Sequence, residues 1–393
     1  MRYKPLQRSG IKDLINRIDQ EDKYMQDFII PAEDLRFDSG FDASVNKTDY
    51  HIVTRSADSD IVSRKSPMLE KAERNLSAKL KMPWAYFQYL KSNHSDLLVE
   101  NLNTLSLRSS DRFMLRTFKG NAPFIEFNDP KSYDDTRNNP SIVRSVLSNR
   151  YKRIDNYDVI NAVLHAISDS GVEVEPVSAS ITENHMFVDF VSKNPQQFPE
   201  LFDGYRPPDN SRNMGADTEI VSGFSIRNSE TGSSRFQIVP RMVVMACSNG
   251  ITMRADAMSR THLGSKITEN GVIWSSKTIA KERDLIVSQT HDAVKQFLSP
   301  DFLGMKVNEI IKHRRDLEHP HGAAHHLSKE LSFDKNETEQ LVEALFSSGD
   351  KTTTGLLHAS TWVAGGSDVE RQYEIEEQAY ELLPTMYKFD KEA

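Results

Sequence analysis

The sequence predicts an α+β fold, with a central, mainly antiparallel sheet that contains a hairpin and is bracketed by N-terminal and C-terminal helices. Apolar residues recur at helical spacing near both ends of the chain, whereas several strand-like runs follow one another between residues 171 and 254. Strands without long helical crossovers between them favour antiparallel pairing. The chain has 393 residues, 38% of them hydrophobic, so it can bury a large core.

The chain is predicted to open with a polar arm followed by three helices. Residues 1–65 are rich in acidic side chains and are expected to be irregular apart from one helix near residues 11–18. Ser66 followed by Pro67 is an N-cap and first-turn signal, after which apolar residues recur at every fourth position. The three predicted helices cover residues 68–80, 83–90 and 95–105.

The middle of the chain is predicted to contain the sheet. Residues 155–168 have helical spacing, and Asn249 with Gly250 predicts a tight hairpin, because both turn residues must tolerate positive φ. Residues 206–217 combine two prolines with asparagine and glycine, which indicates a loop. Strands are predicted over residues 112–118, 142–147, 172–177, 186–191, 220–226, 236–247 and 251–254.

Helical spacing returns in the last third of the chain, where Gly349 is expected to end one helix. Residues 313–326 contain five histidines, but Pro320 and Gly322 interrupt any single helix face, so the segment is interpreted as a connector without a metal site. The predicted C-terminal helices cover residues 285–298, 302–311, 341–346 and 369–383. The predicted regions are an arm (1–65), an α+β core (66–276) and a helical region with an acidic tail (277–393).

Composition and missing motifs exclude several classes of protein. Cys247 is the single cysteine, so no intrachain disulfide is possible and a reducing cytoplasm fits best. The longest apolar run, residues 242–247, is far shorter than the roughly 18 residues of a membrane helix, so no membrane partner is expected. No complete P-loop, dinucleotide-binding turn, nucleophile elbow or zinc-protease motif is present. No cofactor is therefore predicted, and a binding protein is favoured over an enzyme.

The net charge of −8 is unevenly distributed along the chain. Residues 141–154 carry four basic side chains, one tyrosine and no acid, and residues 235–266 carry five basic side chains against one acid. Guanidinium groups pair with phosphates and aromatic rings stack on bases, so these segments are typical of a nucleic-acid contact. The alternative is a solvated or internally paired sheet face, with the acidic tail as its partner. The predicted nucleic-acid-binding residues are Arg144, Arg150, Tyr151, Lys152, Arg153, Arg241, Arg254 and Arg260.

Four short strings carry a family resemblance. In chain order they are VRSVLSNRYKRIDN (143–156), NSETG (228–232), CSNGI (247–251) and SRTHLG (259–264). Together they resemble the phage/plasmid-like protein family that carries domain of unknown function 932, over residues 66–362. The chain departs from the family pattern at Ser259, where a basic residue is expected, and at Ser248, where threonine is frequent. The resemblance implies a protein of a phage or plasmid that works in DNA replication, recombination or host defence.

The leading hypothesis is an ATP-independent protein of a phage or other mobile element that binds or anneals single-stranded DNA. A sheet with a hairpin followed by long helices is loosely similar to phage single-strand annealing proteins, which implies homo-oligomers. Tyr151 would stack on bases while the arginines contact phosphates. Two alternatives stay open: a metal-dependent enzyme acting on nucleic acid or nucleotides through residues 228–230 and His262, or an assembly or decoy protein whose acidic tail (367–393) binds a basic host factor.

Overall fold

The computed structural model describes residues 2–42, 47–54, 66–120, 122–126, 141–201, 219–244, 250–253, 256–260 and 276–391. Helices and antiparallel strands combine in these residues, which confirms the predicted α+β class. The helices are α1 (Ile11–Tyr24), α2 (Glu70–Lys79), α3 (Trp84–Asn93), α4 (Ser95–Leu107), α5 (Asn156–Ser170), α6 (Ser276–Phe297), α7 (Pro300–Lys312), α8 (Pro320–Glu330), α9 (Lys335–Ser348), α10 (Thr353–Gly365) and α11 (Val369–Leu382).

The strands form sheets of different size. They are β1 (Arg2–Tyr3), β2 (Leu6–Ser9), β3 (Met25–Pro31), β4 (Leu35–Asp42), β5 (Lys47–Thr54), β6 (Arg112–Phe118), β7 (Ile125–Glu126), β8 (Ile142–Ser148), β9 (Val174–Ile181), β10 (Met186–Ser192), β11 (Gln196–Gln197), β12 (Glu219–Asn228), β13 (Phe236–Val244), β14 (Gly250–Thr252) and β15 (Met258–Arg260). The predicted strands 112–118, 142–147, 186–191 and 220–226 are confirmed within a few residues.

The largest sheet has the strand order β14-β13-β12-β10-β9-β2, with β15 paired to β13 and β11 to β12. Alternate residues of β12 and β13, such as Phe224 and Ile238, are fully buried in the main apolar core, because this face packs against α6. The opposite face carries Asp189, Arg227 and Arg241, and α11 supplies the side chains that cover them. The sheet is therefore enclosed on both faces by helices.

A smaller sheet with the order β3-β6-β8 forms a second layer near the N-terminus. Helices α2, α3 and α4 cover one of its faces, and their apolar side chains make a second core with Phe113 and Val146. The pattern of apolar residues predicted these three helices correctly, and α3 and α4 begin within one residue of the predicted positions.

The N-terminal residues that the structure describes are more regular than the sequence indicated. Beside α1, strand β3 pairs along its whole length with β6, so that Ile30 lies opposite Phe113. Ile30 and Leu35 are buried in the second core. The acidic composition concealed this strand because its apolar residues, 28–30, form a run too short to stand out from the polar surroundings.

Two helices that the sequence did not predict lie in the C-terminal region. Pro320 occupies the first turn of α8, where its missing N–H costs nothing, so the histidine-rich segment continues as a helix rather than as a connector. Helix α10 is buried on nearly all sides and several of its buried residues are polar, such as Thr353, His358 and Ser360, so it lacks the one-sided apolar periodicity used to find helices. Gly349 ends α9 with φ +77°, as predicted.

The predicted hairpin is correct in its pairing but not in its turn. Strands β13 and β14 are antiparallel, with Val243 opposite Gly250, so Gly250 belongs to the strand. Asn249 and Cys247 lie outside the described residues, as does the predicted loop 206–217. Among the described helices, none combines the length and the apolar composition needed to cross a membrane.

Candidate nucleic-acid interface

The predicted basic segment 141–154 is divided between the interior and the surface. Arg144 lies in β8 with its side chain 2% exposed, and its Nη1 donates to Oε2 of Glu230 at 2.6 Å. Oε2 of Glu21 is 3.5 Å from the same nitrogen. An arginine held between two buried carboxylates does not reach an external polyanion. The structure therefore places Arg144 in an internal ion pair and not at the predicted interface.

Arg116 extends this pair into a buried network. Its guanidinium bonds Asp155 at 2.6 Å and Asp27 at 3.0 Å, and it also donates to the backbone carbonyl of Glu230. Burial lowers the pKa of Arg116, but the carboxylates of Asp155, Glu230 and Asp27 more than offset this effect and raise the pKa above its usual value. The network joins β3, β6 and α5 to the turn after β12, and so fixes the position of the chain between β8 and α5.

Tyr151 is also an internal residue. Its side chain is 9% exposed, and its hydroxyl donates to the carbonyl oxygen of Ser229 at 2.8 Å. Burial raises the pKa of this hydroxyl, so it stays protonated and acts as a donor at neutral pH. A Cβ atom at Gly232 would lie 2.8 Å from the side chain of Leu147 in β8, which shows how closely the turn after β12 approaches β8. The ring of Tyr151 is therefore not available to stack on a nucleic-acid base.

The Asn228–Glu230 string, considered for an enzyme site, has structural roles here. The side-chain amide of Asn228 donates to the Ile154 carbonyl and to Oδ1 of Asn156, at 2.8 and 2.9 Å. Glu230 accepts from the backbone N–H of Asn156, and burial raises the pKa of its carboxyl. These contacts hold the start of α5 against the large sheet. His262, the other residue of that hypothesis, lies outside the described residues.

The surface part of the segment consists of three basic side chains. Arg150 is exposed in the turn after β8, and within the described residues its side chain has no hydrogen bond or ion pair. Arg153 is 57% exposed and pairs with Asp27 at 3.1 Å. Lys152 is half-buried and also has an interaction partner. Of the five residues predicted from this segment, Arg150 is exposed and has no charge partner in the part of the chain that the structure describes.

The second basic segment has one arginine in the interior among its described residues. Arg241 is 5% exposed and bonds Asp189 and, at 2.8 Å, Oε1 of Glu376 in α11. This is the internal pairing with the acidic tail that was the alternative to a nucleic-acid contact. Arg260 is half-buried in β15, and its Nε donates to the side chain of Gln289 at 2.8 Å. Arg254 lies outside the described residues.

A different group of cations meets at one end of the β3-β6-β8 sheet. The backbone N–H of Asn149 donates to the Arg112 carbonyl at 3.2 Å, so Arg112 and Arg150 are neighbours although they are far apart in sequence. Arg108 ends α4 just before β6 begins. Lys81, Arg108, Arg112 and Arg150, which we call the basic end, are all exposed. No hydrogen bond or ion pair involves their side chains within the part of the chain that the structure describes.

Lys81 lies at this end because α2, which precedes it, runs in the same direction as β8. Met68 forms a parallel bridge with Val143, and α2 then packs along β8 in the same direction. Ten helical residues span about 15 Å and the seven residues of β8 about 20 Å, so α2 ends near the end of β8. Leu80 and Met82, on either side of Lys81, share the second core with Phe113, which follows Arg112.

Acidic side chains are fewer than basic ones at this end. Glu33, Asp34 and Asp111 contribute three negative charges, since Pro31 lies opposite Arg112 in the sheet. Among the described residues, Arg36 and Lys79 add two positive charges to the four of the basic end, so that six basic side chains stand against three acids. The excess makes this surface locally positive on a chain whose net charge is negative.

Helix α3 presents aromatic side chains next to the basic end. Tyr86 is 44% exposed and Tyr89 is 55% exposed, while Phe87 and Leu90 form the buried side of the helix. Trp84, at the start of α3, stacks on Phe87 with ring centroids 5.3 Å apart and has the Arg74 guanidinium 4.7 Å from its own centroid. Trp84 is therefore already stacked, whereas Tyr86 has an open ring face.

Sequence reasoning missed the basic end because its four cations come from three separate segments of the chain, with Arg108 and Arg112 in one of them. A count of charges in a sequence window detects residues that are close along the chain. This count selected Arg144 and Arg241, whose side chains point into the protein because successive residues of a strand face opposite sides of the sheet. One available signal was the position of Tyr86 and Tyr89, which lie off the Phe87 and Leu90 face of the predicted aromatic helix.

Comparison with known proteins found no matching family model, no matching curated protein and no matching solved structure. The resemblance to the domain of unknown function 932 family stays a prediction. Among the described residues, no group of three or more histidine, cysteine, aspartate or glutamate side chains is arranged to hold a metal ion.

Proposed function

We propose that this protein binds single-stranded nucleic acid, with DNA as the first candidate, at the basic end and on the neighbouring face of α3. The observation that supports the proposal is the meeting, beside an exposed tyrosine, of four exposed cations from three segments that have no ion pair among the described residues. Cations spaced along a surface contact successive phosphates, and a ring beside them stacks on a base that is not paired in a duplex.

The proposal keeps the predicted activity but changes most of its residues. Arg150 and Arg112 contact phosphates, Arg153 and Lys152 extend the same surface, and Tyr86 takes the stacking role first given to Tyr151. Arg144 contributes indirectly, because it fixes β8, the strand that leads to Arg150, against the turn after β12. Arg241 pairs β13 with α11 and has no part in this surface. No nucleotide cofactor takes part in this activity.

Arg112 and Arg150 provide the first test. A fluorescently labelled oligothymidine is titrated with the protein across a salt series, and binding is followed by anisotropy. In the double variant Arg112→Ala, Arg150→Ala, the log-log salt slope should flatten by about 1.4 units, since each phosphate contact to a single strand contributes about 0.7. A matched control is Lys312→Ala, Lys329→Ala, which removes two exposed charges from α7 and α8. Undetectable binding by the wild type at low salt, or equal slopes in the two double variants, would overturn the proposal.

The context and assembly of the protein follow as parts of the same proposal. Its resemblance to phage and plasmid proteins supports a role in replication or recombination inside a bacterial host cell, where single strands are exposed. Annealing brings two strands together and therefore favours several copies of the chain. Light scattering with and without oligothymidine tests this. An increase in protein mass that depends on the strand supports annealing by an oligomer, whereas a constant monomer mass would overturn the annealing part of the proposal and keep only the binding part.

A further inference from the structure

Helix α8 holds two histidine rings one helical turn apart. His321 and His325 are related by i,i+4 spacing, and their ring centroids are 4.6 Å apart with the ring planes at 58°. His321 is exposed and His325 is half-buried. Neither side chain has a hydrogen bond or ion pair within the described residues. The buried side of α8 consists of other residues, namely Gly322, Ala323, Ala324, Leu327 and Ser328.

The separation of the two rings matches what one shared metal ion requires. A metal–imidazole nitrogen bond is about 2.0–2.1 Å long, which puts the centre of each ring about 3 Å from the ion. Two such rings at a square or tetrahedral angle have centres about 4.5–5 Å apart. The observed 4.6 Å lies within this range.

We infer that His321 and His325 chelate one divalent late transition-metal ion, with water in its remaining coordination positions. Neutral imidazole is a ligand suited to copper, nickel and zinc, and the order of affinity for such a site places Cu²⁺ above Ni²⁺ and Zn²⁺. Magnesium and calcium prefer oxygen ligands and should not bind here.

The surroundings favour an open site with two protein ligands. The Phe346 ring of α9 lies 6.5 Å from the His321 ring and forms an apolar wall on one side. The carboxylate of Asp390 accepts the backbone N–H groups of Glu318 and His319, just before α8 begins. Since His321 is exposed, solvent can complete the coordination sphere. Two ligands give a weaker site than a structural zinc centre, so the fold does not depend on the metal.

Metal titration of the full chain tests the inference. Cu²⁺ and Ni²⁺ are titrated separately by isothermal calorimetry into the wild type and into His321→Ala, His325→Ala and His326→Ala. His326 is the matched control, because it is adjacent in sequence and its ring stacks on Phe389 on a different side of α8. Each variant in the pair should lose at least tenfold in affinity, whereas the control variant should bind as the wild type does, and Mg²⁺ should not bind.

Electron paramagnetic resonance of the copper-loaded protein gives a second readout. The wild type should show hyperfine coupling to two imidazole nitrogens, and each single variant of the pair should show one fewer. Circular dichroism establishes that the variants are folded, and His325→Gln, which keeps the helix and the size of the side chain, replaces His325→Ala if the latter is not. Equal affinity in the wild type and in the paired variants, or no uptake of Cu²⁺ by the wild type, would overturn the inference.

Discussion

The guanidinium of Arg144 lies 2.6 Å from the carboxylate of Glu230, and both side chains are 2% exposed. Arg144 belongs to β8 and Glu230 to the turn after β12, so this pair joins the smaller sheet to the largest one. A buried charge that loses its partner keeps its full desolvation cost. Removing one member of the pair therefore lowers the free energy of unfolding by more than the net contribution of the intact pair.

Replacing Arg144 by Met should lower the free energy of unfolding by about 3–5 kcal/mol, because Glu230 and Glu21 would then be buried without that counter-charge. Arg153→Met removes an ion pair whose arginine is 57% exposed, and should cost less than about 1 kcal/mol. Urea denaturation of both variants measures the difference. Similar losses in the two variants would show that the buried network does not hold the sheets together.

How well the sequence predicted the fold depended on how one-sided each element is. Helix α2 buries one face, and the apolar residues at every fourth position predicted it. Helix α10, buried on nearly all sides, gives no such contrast. In α8, Pro320 was taken as an interruption, although the first turn of a helix accepts proline readily.

The candidate site was harder to predict because the residues that meet in it are far apart in the sequence. The carboxylates that neutralise the buried arginines are also far from them in the sequence. Glu230 is 86 residues from Arg144, and Glu376 is 135 residues from Arg241, so no local count of charges could detect these pairs. Arg112 and Arg150 become neighbours only when β6 and β8 pair. Local composition identified a basic segment correctly, whereas tertiary pairing decides which of its side chains reach solvent.

Tyr86→Ala should weaken binding of oligothymidine by about 5- to 150-fold, since stacking of one base on an aromatic ring contributes about 1–3 kcal/mol. The same substitution should leave binding of an abasic oligomer unchanged, because phosphates alone make that contact. Tyr387→Ala is the matched control, as Tyr387 is 55% exposed at the C-terminal end of the chain. Anisotropy with the two oligomers separates stacking from charge, and an equal loss for both would argue against a stacking role.

Two glycines in helices should respond oppositely to alanine. A Cβ atom at Gly355 in α10 would lie 1.8 Å from the Asp350 carbonyl oxygen, so Gly355→Ala should destabilise the protein by about 2–4 kcal/mol. A Cβ atom at Gly304 in α7 meets nothing within 4 Å, and Gly304→Ala should stabilise by about 0.5–1 kcal/mol through better helix propensity. Urea midpoints that move in the same direction would contradict the packing of α10 against the residues before it.

His358 should make stability depend on pH below neutrality. Burial, followed by repulsion from Arg314, lowers the pKa of this imidazole to about 4, against about 6.5 in the unfolded chain. The unfolded state therefore binds more protons between these values. The stability that comes from neutral His358 is complete above pH 6.5, is lost as pH falls through that window, and is reduced by about 2 kcal/mol at pH 5. Urea denaturation at pH 7.5 and pH 5 measures the loss, which His358→Gln should make smaller by that amount because glutamine does not titrate. If the wild type and the variant lose the same stability between the two pH values, the imidazole is not the group that titrates, and exposed or paired carboxylates account for the change.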